Sequence, residues 1–283
     1  MASSRCSSPA ALSRRVHTAC ACVWGLVLLV TGGSQALAQS LSAQEQAHFL
    51  ATARIVSSTQ LPKGVTKPRR VTLSDGTLTH DAVFSTIDER IPIMRFKTGR
   101  TELDFVDSYK YSIAAYRVAV LLGLDDMVPV TVEREWRKER GSLAWWIDAK
   151  WDEEARRKQK LTPPDPVEWQ RQTSRMRVFE QLLADTDRNL GNILISEQWK
   201  LWMIDFTRAF RRTRQLPAPD TLTRCDRQLL ERLRGLTREG LLDTARPYIG
   251  GSEIDALLAR RDLIVARFEE LVARRGDAAV LFD

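Results

Sequence analysis

The sequence predicts an α+β fold of two lobes, in which a small strand-rich lobe with one helix precedes a larger, mostly helical lobe. Strand patterns bounded by turn residues are concentrated in residues 61–150. A charged, proline-rich stretch follows at 151–166, and helical spacing of apolar residues dominates 167–283. The change of pattern at 151–166 predicts a hinge or linker between the two lobes.

Residues 1–38 have the features of a secretory signal peptide. Arg14 and Arg15 precede a twelve-residue apolar stretch, Ala19 to Val30, and small residues continue to Ala38. Cleavage near Ala38 would release a periplasmic or secreted protein. The arginine pair leaves twin-arginine export as an alternative to Sec export. The rest of the sequence contains no run of the ~18 apolar residues that a transmembrane helix needs.

Composition and charge exclude several classes of protein. The chain is 43% hydrophobic and 28% charged, as is typical of globular proteins. Its net charge is +7, but residues 1–38 contain three arginines and no acid, so the remainder carries +4. This charge is too low for the dense basic surface of nucleic-acid-binding proteins, and we expect no nucleic-acid partner.

The cysteine and histidine content excludes further kinds of site. Beyond residue 38 the sequence contains one cysteine, Cys225, which excludes an intramolecular disulfide there. His48 and His80 are the histidines of the same part, and neither stands in a metal-ligand or nucleophile motif. A histidine-rich zinc site and a Ser-His-Asp triad are therefore not expected.

The small lobe is predicted element by element from turns, caps and periodicity. An N-terminal helix is expected within 39–60. Asp75-Gly76 marks a turn between two strands. Asp107 or Ser108 is expected to cap a helix that ends at Gly123. The predicted strands are Val71–Leu73, Thr77–Ile87, Ile91–Lys97, Val128–Glu133 and Gly141–Ile147.

The helical lobe is predicted to contain one hairpin. Asp165-Pro166 has the residue types of an N-cap and first helical position, so a helix should begin there. The strands Asn192–Ile195 and Lys200–Ile204 lie close enough in sequence to form the hairpin. Ser252 is expected to cap the last long helix, which Gly276 ends.

The segment from Asp187 to Asp205 contains the residue types that phosphoryl transfer requires. That chemistry needs a carboxylate beside the acceptor hydroxyl and oxygen ligands for a divalent metal on the phosphates. Asp187 and Asn192 are five residues apart, as are the catalytic Asp and metal-binding Asn of the kinase catalytic loop. Antiparallel pairing would bring Asn192 and Asp205 to the same end of the hairpin. The alternative is that these are ordinary polar residues of a turn and a strand end.

The segment resembles a known superfamily. Asp187-Arg188-x-x-x-Asn192-Ile193-Leu194, with Ile204-Asp205-Phe206 beyond it, resembles the catalytic and metal segments of phosphatidylinositol 3-/4-kinases. It is similar also to bacterial HipA-type kinases and to secretory-pathway casein kinases of animals, and most of all to exported bacterial members. The resemblance covers roughly residues 64–210. It implies a two-lobed protein-kinase-like fold that binds ATP with Mg²⁺ or Mn²⁺ and transfers a phosphoryl group to an unknown acceptor. Asp187 would be the catalytic carboxylate, and Asn192 and Asp205 the metal ligands.

The sequence also departs from this superfamily. Ser85 stands where active members have a phosphate-binding lysine, and Ser112 where they have its acidic partner. Asn189 stands where lipid kinases have a histidine. These departures keep open a pseudokinase-like module that binds a ligand or acts as a scaffold without catalysis.

Two residues of the small lobe are candidates for contact with the nucleotide. Lys97 would supply the missing cation with Glu102 or Asp107 as its partner; the alternative is a solvated lysine at a strand end. Gly64 lies where a nucleotide-covering loop is expected. Arg208 and the arginines that follow it are candidates for binding a phosphate-bearing or acidic partner.

Overall fold

The computed structural model describes residues 41–61, 68–99, 101–185 and 187–283. The predicted signal peptide, its cleavage site and Gly64 lie outside these ranges. The helices of the described residues, α1 to α8 in chain order, are Ala43–Thr52, Tyr109–Leu122, Glu153–Lys158, Pro166–Leu183, Arg227–Gly235, Arg238–Ala245, Gly251–Arg275 and Asp277–Val280. The strands, β1 to β12, are Arg54–Gln60, Arg69–Ser74, Thr79–Ser85, Asp88–Arg95, Thr101–Ser108, Thr131–Trp136, Glu139–Trp145, Trp151–Asp152, Ile193–Ile195, Leu201–Met203, Cys225–Asp226 and Leu281–Phe282.

The small lobe is built on a five-stranded antiparallel sheet in the order β1-β2-β3-β7-β6. Helix α1 begins with a capping box between Ser42 and Glu45, and it buries Phe49 and Leu50 against this sheet. The predicted N-terminal helix lies within 39–60 as Ala43–Thr52, but the helical spacing that continues to residue 56 is overridden at Arg54–Gln60, which form β1. These residues pair with β2, and that pairing outweighs the helical spacing of the apolar residues before them.

A separate two-stranded ribbon, β4 and β5, connects β3 of the sheet to α2 along the chain. The ribbon leads into α2, whose N-cap is Ser108, with its hydroxyl accepting from Lys110 N at 3.3 Å. Gly123 ends α2 in the left-handed conformation at φ 65°, as predicted. Strand β5 itself was not predicted, and β6 begins at Thr131 instead of Val128.

Helix α2 connects the two lobes through its buried face. Ile113, Val118 and Leu122 belong to the same apolar core as α4 and α7. The sheet and α1 form a second, smaller core, and Tyr116 packs against both. The position of the β4–β5 ribbon is thereby fixed relative to the helical lobe.

The predicted hinge contains secondary structure of its own. Strand β8 pairs with β9, so the predicted β9–β10 hairpin is one side of a three-stranded sheet. Asp152 caps the short α3, in which the buried Glu153 binds Arg156 and Arg157. This segment therefore packs on the helical lobe next to the hairpin.

The helical lobe begins as the sequence predicts. The Asp165 carboxylate accepts from the amides of the first turn of α4, and Pro166 is the first helical residue. The prediction of Ser252 as a cap is wrong, because α7 begins at Gly251 and the Ser252 hydroxyl donates to Glu253 inside its first turn. Cys225 is fully buried, and burial raises the pKa of its thiol far above the ordinary range.

Candidate functional site

The loop that carries Asp187 connects α4 to β9. Ala184 ends α4 in the left-handed conformation at φ 47°. The chain then runs from Asp185 to a single 3₁₀ turn, Leu190–Asn192, from which β9 starts. Asn189 caps this turn, with its Oδ1 accepting from Gly191 N at 2.9 Å. The residue that departs from the lipid-kinase histidine thus has a structural role here.

Arg188 fixes the shape of this loop. Its guanidinium donates to Asp185 Oδ2 at 2.6 Å and to the carbonyl oxygens of Asn192 and Ile204. It also lies over the Phe206 ring, 4.3 Å from the ring centre. One side chain therefore joins both ends of the loop to the hairpin. Sequence reasoning missed this role of Arg188 and Asp185, and their three-residue separation next to Asp187 was the signal available.

Asp187, Asn192 and Asp205 come together at one end of the β9–β10 hairpin. Asn192 Nδ2 donates to the Asp187 carbonyl oxygen at 3.0 Å, and Ile204 N donates to the Asn192 carbonyl oxygen at 3.0 Å. Asp205 follows directly, in the left-handed conformation at φ 58°, with an exposed side chain. An aspartate tolerates that conformation better than most residues do. Asn192 thus links the backbone at Asp187 to the residue before Asp205, as antiparallel pairing predicts.

A third carboxylate, Asp107 of β5, faces this end of the hairpin from the small lobe. Partial burial raises the pKa of Asp107, and the negative charge of Asp205 raises it further. The pKa of Asp187 is raised by the same two causes. Arg208 opposes both shifts. Sequence analysis offers Asp107 as a helix cap or as a partner for Lys97 but not as part of this cluster, because its approach to Asp205 depends on how the lobes pack.

The oxygen atoms at this end are of the chemical kind that binds a hard divalent cation. Asn192 Nδ2 is engaged with Asp187, which leaves Oδ1 as the amide's acceptor. Asp107 Oδ1 is buried and has no hydrogen-bond partner within the described ranges. No group of three or more His, Cys, Asp or Glu residues in the described part of the chain has metal-site spacing. Mg²⁺ is commonly held by only one or two carboxylates together with substrate phosphates and water.

The other small-lobe residues named in the sequence analysis belong to elements other than the β9–β10 hairpin and its loop. Lys97 is exposed in the turn after β4. Glu102, one of its two predicted partners, accepts hydrogen bonds from Arg208. Ser85 ends β3 opposite Ser142, and Ser112 is half-buried in α2. Gly64 belongs to the connection between β1 and β2, outside the described residues.

Comparison with solved structures identifies the fold. A hydra Fam20 structure with sugar aligns with a TM-score of 0.60 and 15% identity over 85% of this chain and 92% of that one. The protein has a protein-kinase-like fold. A Golgi casein kinase aligns with a TM-score of 0.55 and 14% identity over 84% and 77% of the two chains. The Helicobacter pylori proinflammatory kinase CtkA aligns with a TM-score of 0.51 and 11% identity over 80% of this chain and 97% of that one. These likenesses confirm the predicted protein-kinase-like fold and its two-lobed α+β architecture.

Comparisons at the level of sequence add no closer relative. No protein-family model matches the chain, and no curated protein matches it either. Within 41–61, 68–99, 101–185 and 187–283, none of the helices has both the length and the apolar character to cross a membrane.

Proposed function

We propose that this kinase-like protein is exported, binds ATP with Mg²⁺ or Mn²⁺ between its lobes and transfers a phosphoryl group to an acceptor hydroxyl. The observation that carries the proposal is the convergence of Asp187, Asn192 and Asp205 at one end of the β9–β10 hairpin. The features of residues 1–38 support export. A Golgi casein kinase of the same fold has been solved with Mn and ADP bound, which supports the choice of cofactors.

The proposed roles follow from the chemistry of each side chain. Asn192 Oδ1 and the Asp205 carboxylate hold the metal, which neutralises phosphate charge when bound. Lys97 and Gly64 are the small-lobe candidates for contact with the nucleotide. In the reaction, the acceptor oxygen bonds to the γ-phosphorus, the bond from that phosphorus to the bridging oxygen breaks, and ADP leaves. Asp187 takes the hydroxyl proton, and its raised pKa makes it a better base than an ordinary aspartate.

Calorimetry on the full chain as it is expressed tests the binding step. We expect ADP to bind in the presence of Mn²⁺ and the affinity to fall at least tenfold in Asp205→Asn, because a metal ligand is lost. Asparagine retains the left-handed conformation of position 205, so the backbone is not strained. Asp220→Asn, at an exposed aspartate in the connection between β10 and β11, is the matched control. Equal ADP affinity in the wild type and Asp205→Asn would contradict the metal assignment.

The absence of the lysine–acid pair at Ser85 and Ser112 favours a second candidate, a pseudokinase-like binding or scaffold module. ATP is also scarce outside the cytoplasm, where the exported protein would act. Transfer of labelled phosphate from ATP to a panel of proteins, sugars and lipids separates the two candidates. Transfer that is lost in Asp187→Asn, with ADP binding intact, supports the kinase. Binding without transfer to any acceptor of the panel supports the pseudokinase.

A further inference from the structure

Arg208 lies three residues after Asp205 and is held in a buried ion pair with the small lobe. Its Nη2 donates to both carboxylate oxygens of Glu102 at 2.8 Å, and the two residues are only 8% and 9% exposed. The guanidinium also lies over the Phe105 ring, 4.2 Å from the ring centre. Glu102 and Phe105 both belong to β5. The ion pair therefore ties the segment after Asp205 to the small lobe.

Positive charge is in excess around Glu102. Arg211 Nη1 lies 3.0 Å from Glu102 Oε1, so this carboxylate faces two guanidinium groups. On the other side, the charge of Arg208 acts on Asp107 and Asp187 and opposes the upward shift of the pKa of both. Arg208 Nε is buried and lacks a hydrogen-bond partner among the residues that the structure describes. A buried guanidinium nitrogen without a partner, in a group whose charge acts on carboxylates that repel one another, is a costly arrangement without an additional ligand.

We infer that Arg208, positioned by Glu102, replaces the lysine–acid pair that is missing at Ser85 and Ser112. The inference rests on the proposed function. Arg208 is a positioning residue: it is buried, it holds β5 against the segment that carries Asp205, and its charge acts on bound phosphates through space. The lysine–acid pair of active kinases joins two elements of the small lobe, whereas this pair joins the small lobe to the metal-binding segment.

The metal ion is positive and the phosphates are negative, so an electrostatic role of Arg208 affects their binding in opposite directions. A purely structural role would affect both in the same direction. A fixed positive charge near the site attracts phosphates and repels a bare metal ion. Removal of the charge therefore weakens ADP binding without weakening the binding of Mn²⁺ alone. Loss of a structural support would weaken both.

The test measures Mn²⁺ alone, and ADP at saturating Mn²⁺, by calorimetry on the full chain. We expect Arg208→Met to weaken ADP roughly tenfold or more and to leave Mn²⁺ affinity equal or higher. Arg208→Lys, which keeps the charge, should stay within about threefold of the wild type, a margin below the tenfold loss. Arg211→Met, which removes another cationic partner of Glu102, is the matched control and should have a smaller effect than Arg208→Met.

If Arg208→Met does not fold, Glu102→Gln decides the question, because glutamine keeps a side-chain oxygen that accepts from Arg208 and removes only the negative charge. The inference expects ADP affinity equal to or above that of the wild type in this variant, and weaker affinity overturns it. Unchanged ADP binding in Arg208→Met, or a parallel loss of Mn²⁺ and ADP binding, also overturns it. A wild-type protein that does not bind ADP overturns the proposed function itself and this inference with it.

Discussion

The stability of the protein should depend on pH because of Glu180, which lies on α4. Its Oε1 is buried, lies 3.7 Å from Arg188 Nε and has no hydrogen-bond partner in the described part of the chain. Burial raises the pKa of Glu180 from 4.5 to about 7, although Arg188 opposes the shift. At pH 5 to 7 the folded protein therefore retains a proton that the unfolded chain has released.

The sign and size of the effect follow from this difference. The contribution of Glu180 is fully present below pH 4.5 and is lost as the pH rises through 7. At 1.36 kcal/mol per pH unit, the loss between pH 5 and pH 8 is about 2–3 kcal/mol. Glu180→Gln carries a neutral group at every pH and does not suffer this loss.

Urea unfolding followed by tryptophan fluorescence at pH 5 and pH 8 measures the effect. The free energy of unfolding of Glu180→Gln, relative to the wild type, should rise by about 2–3 kcal/mol between the two pH values. Glu168→Gln, at an exposed position on the same helix, is the control and should show no such change. A difference between Glu180→Gln and the wild type that is the same at both pH values would refute the reasoning.

Three further predictions concern the site and the sheet. Arg188→Met leaves the carboxylate of Asp185 buried without its cation and should cost about 3–5 kcal/mol in urea unfolding; a loss below about 1 kcal/mol would contradict this. Asp205→Asn removes a charge that repels its neighbouring carboxylates, so it should raise the Tm in EDTA by roughly 2 °C and abolish stabilisation by Mn²⁺; a lower Tm in EDTA would refute the repulsion. Gly141→Ala would place a Cβ 2.3 Å from a backbone oxygen of β3 and should lower the free energy of unfolding by about 2–3 kcal/mol. Gly235→Ala, in open space at the end of α5, is the control and should be neutral or stabilising. Equal effects of the two substitutions would contradict this prediction.

The elements that sequence analysis predicted are those defined by local chemistry. The turn at Asp75-Gly76, the stop at Gly123 and the cap at Asp165 each act within a few residues, so the sequence contains the whole signal. The β9–β10 hairpin was predicted for the same reason, and with it the approach of Asn192 to Asp205.

The features that sequence analysis missed depend on partners that are distant along the chain. Strand β1 is mostly exposed and polar, and its pairing with β2 alone defines it. The ion pair between Glu102 and Arg208 joins residues 106 positions apart, and no sequence spacing indicates such a contact. Ser252 has the residue type of a cap, but the helix begins one residue earlier with Gly250 as its N-cap. Local propensity does not set that boundary.

The burial of Cys225 gives the protein an internal reporter of its own unfolding. The remaining three cysteines lie in residues 1–38, so removal of that segment would leave one thiol per molecule. A maleimide reagent would reach this thiol only when the parallel pair β11–β12 separates from the helical lobe. The rate of labelling in buffer alone would then report how often that region opens, without an engineered probe. Comparing this rate with and without Mn²⁺ and ADP would show whether ligands at the small-lobe side stabilise the far end of the helical lobe.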